Sequence, residues 1–179
     1  MDSTVSNKRT ILTIDDDAKI LKFLEIHLSS ASYKVRQSVG GNGVFSELDK
    51  NSYDLVICDM KMPEVDGVRI LEYCLKRYGT APVIMLTGVM DVSTTVEVMK
   101  EGAFDYLIKP ILKENLLRTA HKAIARKDLM ERNMELEELN RQYQSLLEKK
   151  VEEGTIGYVS PSAAKRGELH GFKIITTLQ

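Results

Sequence analysis

Five short pieces of the chain carry side chains suited to moving a phosphoryl group. Asp15-Asp16-Asp17 follows the apolar run Ile11-Leu12-Thr13-Ile14, and Asp59 ends the run Asp54-Leu55-Val56-Ile57-Cys58. Thr87 follows Val83-Ile84-Met85-Leu86, and Tyr106 and Lys109-Pro110 belong to a last apolar run. Brought together, Asp15, Asp16 and Asp59 repel one another unless a cation shares them, and hard carboxylate oxygens suit Mg²⁺. That ion keeps several waters, so one or two carboxylates and a backbone carbonyl suffice. Asp59 can act as nucleophile towards phosphorus, forming an acyl phosphate. Lys109 can neutralise charge on the equatorial oxygens, and the Thr87 hydroxyl can donate to another of them. Gly88 leaves room beside Thr87 for the phosphodonor. Taken singly, these signals are weak: an Asp triplet after a strand is commonly a loop or a helix cap, and Tyr106 a packed aromatic. The joint pattern carries the argument.

The elements that must position these residues alternate. Arg9–Ile14 reads as a strand, and Ile20, Leu21, Leu24 and Leu28 repeat at helical spacing over Ala18–Ser30. A weaker strand lies near Tyr33–Ser38, and the turn Gly40-Gly41-Asn42-Gly43 leads into a short helix with Val44, Phe45 and Leu48. Asp54–Cys58, Pro82–Leu86 and Ala103–Ile108 read as further strands, with helices over Val68–Tyr78 and Ser93–Lys100. Strands in strict alternation with helices are parallel and covered on both faces, which is why they read as continuous apolar runs. The expected fold is a doubly wound α/β sandwich, and ligands in such sheets bind at the carboxyl ends of the strands. Asp15, Asp59, Thr87 and Lys109 all fall at that edge.

Composition narrows the classes. With 179 residues, 43% hydrophobic and 28% charged, the chain suits one ordinary domain plus an appendage. A net charge of −1 gives no reason to expect wholesale binding to nucleic acid or to an anionic membrane. No apolar stretch approaches the ~20 residues of a membrane helix, and the polar N-terminus lacks a signal-peptide core. Cys58 and Cys74 suit neither a disulfide framework nor a zinc site, so a reduced, cytoplasmic protein is expected. His27 and His121 have no partner ligands at suitable spacing, and the methionines read as core filling.

After Pro110 the pattern changes. Lys113–Glu153 lacks glycine and proline and favours one long helix, with Leu116, Leu117, Ala120, Ala123 and Ile124 facing the sheet. Leu129, Leu136, Leu139, Tyr143 and Leu146 then fit a coiled-coil seam interrupted by Arg132, and homodimerisation through this helix is the expectation. Arg118, His121, Lys122, Arg126 and Lys127 make its start basic, a solvated face or an acidic partner's surface. A single helix with no turn leaves no place for a helix-turn-helix, so nucleic acid is not an expected partner. The change of character at Gly154 suggests truncation or a frameshift there. The expected division is a disordered start at 1–8, a domain at 9–126, a helical extension at 127–153 and a tail of unknown structure at 154–179.

The run Ile11-Leu12-Thr13-Ile14-Asp15-Asp16-Asp17, the segment Asp54–Gly67 with Asp59-Met60-Lys61-Met62-Pro63, and Ala103-Phe104-Asp105-Tyr106-Leu107-Ile108-Lys109-Pro110 together resemble the receiver domain of two-component response regulators. The resemblance covers roughly Arg9 to Arg126. It implies a flavodoxin-like five-stranded sheet of order 2-1-3-4-5, with Asp59 phosphorylated by a histidine kinase or phosphotransfer protein. It further implies that Asp15 and Asp16 hold Mg²⁺ with the Lys61 carbonyl, that Thr87 and Lys109 contact the phosphoryl group, and that Tyr106 is a rotating switch. The Lys109–Pro110 bond is expected in cis. The resulting function is a phosphorelay switch that catalyses only its own phosphorylation and slow dephosphorylation. The alternative is the regulatory fragment of a receiver-coupled cyclic-di-GMP phosphodiesterase, cyclase or histidine kinase.

Overall fold

The computed structural model describes residues 8–41, 43–88 and 92–152. Expectations for the start of the chain and for the segment beyond Glu152 lie outside the described residues. Ten elements alternate: β1 (Thr10–Ile14), α1 (Ala18–Ser30), β2 (Lys34–Ser38), α2 (Gly43–Lys50), β3 (Leu55–Asp59), α3 (Gly67–Tyr78), β4 (Val83–Thr87), α4 (Val92–Lys100), β5 (Asp105–Ile108) and α5 (Lys113–Glu152). The strands form one parallel sheet of order β2-β1-β3-β4-β5. This is the expected doubly wound α/β sandwich.

The period of two along each strand assigns the faces. Leu12, Ile14, Val56, Cys58, Val83 and Met85 pack with Val44 and Leu48 of α2 and with Ile70, Leu71 and Cys74 of α3. Ile11, Leu55, Ile57, Ile84 and Leu86 pack on the other face with Leu24 and Leu28 of α1 and with Leu116, Ala120 and Ala123 of α5. Every residue of β3 and β4 is buried, as a central strand covered on both faces must be.

Two strand ends differ from the sequence reading by one residue. Asp59 is the last residue of β3 and Thr87 the last of β4, because Asp59 pairs with Leu86 and Thr87 with Ile108 in the ladder. Both residues therefore have their backbones held by the sheet. β5 starts later than expected, at Asp105, and the chain reaches it through Gly102, whose φ of 103° an L side chain rarely adopts.

At the opposite edge of the sheet, Asp54 collects three donors just before β3. It accepts from Thr10 N–H at 2.8 Å, from the Lys127 ammonium at 2.8 Å and from the Arg9 guanidinium at 3.1 Å. Lys127 also pairs with Glu131 at 2.7 Å, and Arg9 with Asp128. Burial pushes the Asp54 carboxyl up, but the Lys127 and Thr10 hydrogen bonds and the charges of Lys127 and Arg9 bring it below its ordinary 3.8. A carboxylate depressed in the folded state stabilises above its unfolded pKa, and that contribution is lost as pH falls through the folded value. Asp54→Asn is therefore expected to cost about 2 kcal/mol at neutral pH. The deficit should shrink once the pH drops below 3.8, read from urea midpoints of both proteins across that range. A deficit independent of pH would show that charge plays no part.

The chain divides into two compact units, Met1–Glu131 and Arg132–Gln179. In the first, α5 buries Leu116, Ala120, Ala123 and Ile124 against the sheet. The described part of the second is helical and carries its own surface ion pairs, Arg132–Glu135 and Glu138–Arg141. No helix among the described residues is long and apolar enough to cross a membrane.

Candidate functional site

Asp15 follows β1, Asp59 and Thr87 end β3 and β4, and Lys109 follows β5, so the sheet alone delivers four of the expected groups to one edge. Asp15 is fully buried, and its Oδ1 accepts from the Asp17 N–H at 2.8 Å. Its Oδ2 accepts from the Lys109 ammonium at 2.8 Å. The same ammonium lies 2.9 Å from Asp59 Oδ1. One cation thus spans two carboxylates from strands that are neighbours in the sheet. Asp16 is exposed beside them, and ligand oxygens of Asp15, Asp16 and Asp59 all lie within 4.8 Å of one another.

The electrostatics follow from this crowding. Burial raises the Asp59 carboxyl above its ordinary value, and the charges of Asp15 and Asp16 push the same way against the bonded Lys109. Burial alone would lower the Lys109 ammonium, but its bonds to Asp15 and Asp59 outweigh that and hold it above its ordinary value. The lysine stays charged while a neighbouring carboxylate is short of positive charge. A hard divalent cation would supply the deficit, and three carboxylates at this spacing fit one.

Other expected residues take their places around this core. Thr87 is buried, and its carbonyl accepts from Lys109 N–H at 2.7 Å, which fixes where the lysine leaves the strand. Tyr106 is half-buried against the core cluster on the α2–α3 face. Lys61 forms an isolated antiparallel bridge with Asp66, closing the loop between β3 and α3. The Lys109–Pro110 bond is cis. Among the described residues, a Cβ at Gly88 would meet nothing within 4 Å.

Four residues had no role at the site in the sequence reading. Asp17 caps α1, accepting from Lys19 N–H at 2.7 Å, while its own N–H orients Asp15. Asp-rich segments before a helix carry that capping signal. Gly40 and Gly41 have positive φ, and a Cβ on Gly40 would lie 3.4 Å from Met62 Sδ and 3.8 Å from Asp16 Cβ. The turn after β2 therefore packs beside the acidic edge, as a connection from the same end of a parallel strand must. Gly67 begins α3 directly on the Asp59 backbone: a Cβ there would lie 2.2 Å from the Asp59 carbonyl oxygen. No local pattern distinguishes that glycine from an ordinary turn glycine.

The segment that carries this site resembles known proteins. The response regulator receiver domain model matches residues 11–121. The transcriptional regulatory protein ZraR of Salmonella typhimurium strain LT2 is 34% identical over 121 residues, 68% of this chain and 27% of that protein. The DNA-binding transcriptional regulator NtrC of Proteus hauseri is 32% identical over 117 residues, 65% of this chain and 25% of its own length. The chain thus spans about a quarter of the length of these relatives. A response regulator receiver domain protein from Clostridium thermocellum superposes with a TM-score of 0.62 at 38% identity, covering 68% of this chain and 98% of that one. The adenylate cyclase structure from Rhodopirellula baltica superposes with a TM-score of 0.68 at 26% identity, covering 73% and 98%. Sheet order and these matches agree, and the chain belongs to the response regulator receiver domain family.

Proposed function

We propose that this chain accepts a phosphoryl group on Asp59 and passes the change to a contact surface in a phosphorelay. The observation that carries the reading is the Lys109 ammonium shared between Asp15 and Asp59, with Asp16 in reach. Asp59 Oδ1 is engaged by Lys109, which leaves Oδ2 to attack phosphorus. A carboxylate oxygen–phosphorus bond forms, the bond from phosphorus to the donor's leaving oxygen breaks, and the leaving group departs with that electron pair. Asp15, Asp16, Asp59 and the Lys61 carbonyl would hold Mg²⁺, which supplies positive charge for the phosphoryl oxygens. Lys109 neutralises a further part, and the Thr87 hydroxyl donates to another oxygen. The chain would catalyse only this phosphorylation and its slow reversal by water.

The switch follows from the same groups. Drawing Thr87 towards the phosphoryl group alters the space beside β4, and the half-buried Tyr106 on β5 is the aromatic placed to respond. The division into a receiver at 9–126 and a helical extension at 127–153 belongs to this reading, with a cytoplasmic histidine kinase or phosphotransfer protein as donor. The extension, with its exposed Leu136, Leu139, Tyr143 and Leu146, would form a homodimer. The match over residues 11–121 and the relatives named as transcriptional regulators favour this over a fragment of a coupled enzyme. Intact mass after incubation with acetyl phosphate is expected to show one phosphoryl adduct with Mg²⁺ and none after chelation. An adduct indifferent to Mg²⁺, or no adduct, would overturn the assignment.

A further inference from the structure

Leu129, Leu136, Leu139, Tyr143 and Leu146 of α5 are between 46% and 67% exposed. Their spacing of seven, three, four and three places Leu129, Leu136 and Tyr143 at a positions of a heptad and Leu139 and Leu146 at d. The same register puts Lys122 and Lys150 at a, and Ala125 and Arg132 at d. A helical stripe of this size calls for a partner helix. The proposed homodimer supplies one, and the orientation of the pair rests on that reading. The charges then decide which way the second helix runs.

In a parallel pair each layer meets its own copy. Lys122 would face the partner's Lys122, Arg132 the partner's Arg132 and Lys150 the partner's Lys150, three like-charge layers in one seam. In an antiparallel pair each a position faces a d position. One register pairs all four leucines of the stripe: Leu129 with the partner's Leu146, and Leu136 with the partner's Leu139. The same register sets Tyr143 against the partner's Arg132, a guanidinium over an aromatic ring. It sets Lys150 against the partner's Ala125. Its flanks are compatible too, with Asp128 beside the partner's Lys149, Glu135 beside the partner's Gln142 and Asn133 beside the partner's Asn140. Slipping by one heptad either opposes Arg132 to the partner's Lys150 or leaves Leu146 against the partner's Lys122. Only the central register avoids both.

We propose that two copies of this chain pair antiparallel through α5, with Tyr143 against the partner's Arg132 and Leu136 against the partner's Leu139. Two double-cysteine variants of the full chain separate the orientations without touching the seam. Asn133→Cys with Asn140→Cys places thiols side by side across an antiparallel pair only. Glu135→Cys with Asn140→Cys does so across a parallel pair only. The native Cys58 and Cys74 are buried and stay out of reach of a short thiol crosslinker. The first variant is expected to form a covalent dimer and the second to stay uncrosslinked. Lys149→Glu, which opposes Asp128 across the antiparallel flank, should weaken the dimer about tenfold at low salt, measured by sedimentation. Crosslinking of the second variant and not the first, with a dimer unaffected by Lys149→Glu, would overturn the orientation and leave the homodimer standing. A monomer by sedimentation, with neither variant crosslinked, would remove the homodimer itself.

Discussion

Asp59→Asn is expected to abolish the phosphoryl adduct formed from acetyl phosphate and Mg²⁺. In the proposed reaction the nucleophile is a carboxylate oxygen of Asp59, at the end of β3, and an amide at that position cannot form an acyl phosphate. The loss should be at least about 10³-fold in initial rate, beyond detection by intact mass. The same variant gives an internal control for folding. Burial and the charges of Asp15 and Asp16 raise the Asp59 carboxyl, so the folded state holds a proton there more tightly than the unfolded chain. For a raised carboxyl, stability falls as pH rises through the window between the unfolded and folded values, and the ionised form is a burden at neutral pH. A neutral side chain removes that burden. The Mg²⁺-free Asn variant should therefore unfold at a urea concentration equal to or above the wild type while taking up no phosphate. An adduct that persists in this variant would place the phosphoryl group elsewhere.

Gly67→Ala should damage both stability and chemistry through contact with the backbone. The added Cβ would lie 2.2 Å from the Asp59 carbonyl oxygen, 2.9 Å from Met60 Cα and 3.0 Å from the Asp59 carbonyl carbon. None of these is the end of a flexible side chain that can turn away. Gly67 also donates its N–H to the Met60 carbonyl at 3.0 Å, so α3 cannot retreat without loosening that bond. Relief requires moving the first turn of α3 or the end of β3. Overpacking of a tight core contact costs up to about 3 kcal/mol. Because β3 ends on Asp59, a shift there also displaces the carboxylate from Lys109, and misplacement by about 1 Å can slow a reaction about 10²-fold. Urea midpoints and adduct formation rates measure the two effects separately. Gly43→Ala is the comparison, since a Cβ there meets nothing within 4 Å, and it should leave both quantities unchanged. Wild-type behaviour in Gly67→Ala would show that the loop accommodates a methyl group at no cost.

Glycines also show where sequence reading reaches its limit. Gly40-Gly41 was legible as a turn, because clustered glycines allow positive φ wherever they occur. Gly67 was legible only as part of a familiar segment. Its constraint comes from the approach of the α3 N-terminus to the end of β3, which is a property of how two elements meet. Asp54 makes the same point from the opposite edge. It read as the first residue of a strand, whereas the structure places it before β3, where it gathers Arg9, Thr10 and Lys127. Lys127 in turn read as one cation of a basic helix face, yet it is buried and paired. Its partner is 73 residues away, and no periodicity within α5 announces it.

By itself the sequence determined the alternation of strands and helices, the parallel sheet, and the edge to which Asp15, Asp59, Thr87 and Lys109 come. The reason is local: an apolar run too short for a helix and closed by a polar residue marks a buried strand and its end. Parallel strands then place all such ends together. The tertiary structure decided that a single ammonium, from a residue 94 positions after Asp15, spans Asp15 and Asp59. It also decided that Asp59 and Thr87 sit inside the ladder, and that α3 begins against the Asp59 carbonyl. Those contacts depend on strand register and on how helices settle against the sheet. Both are fixed by packing among residues distant in sequence, to which a local pattern is blind.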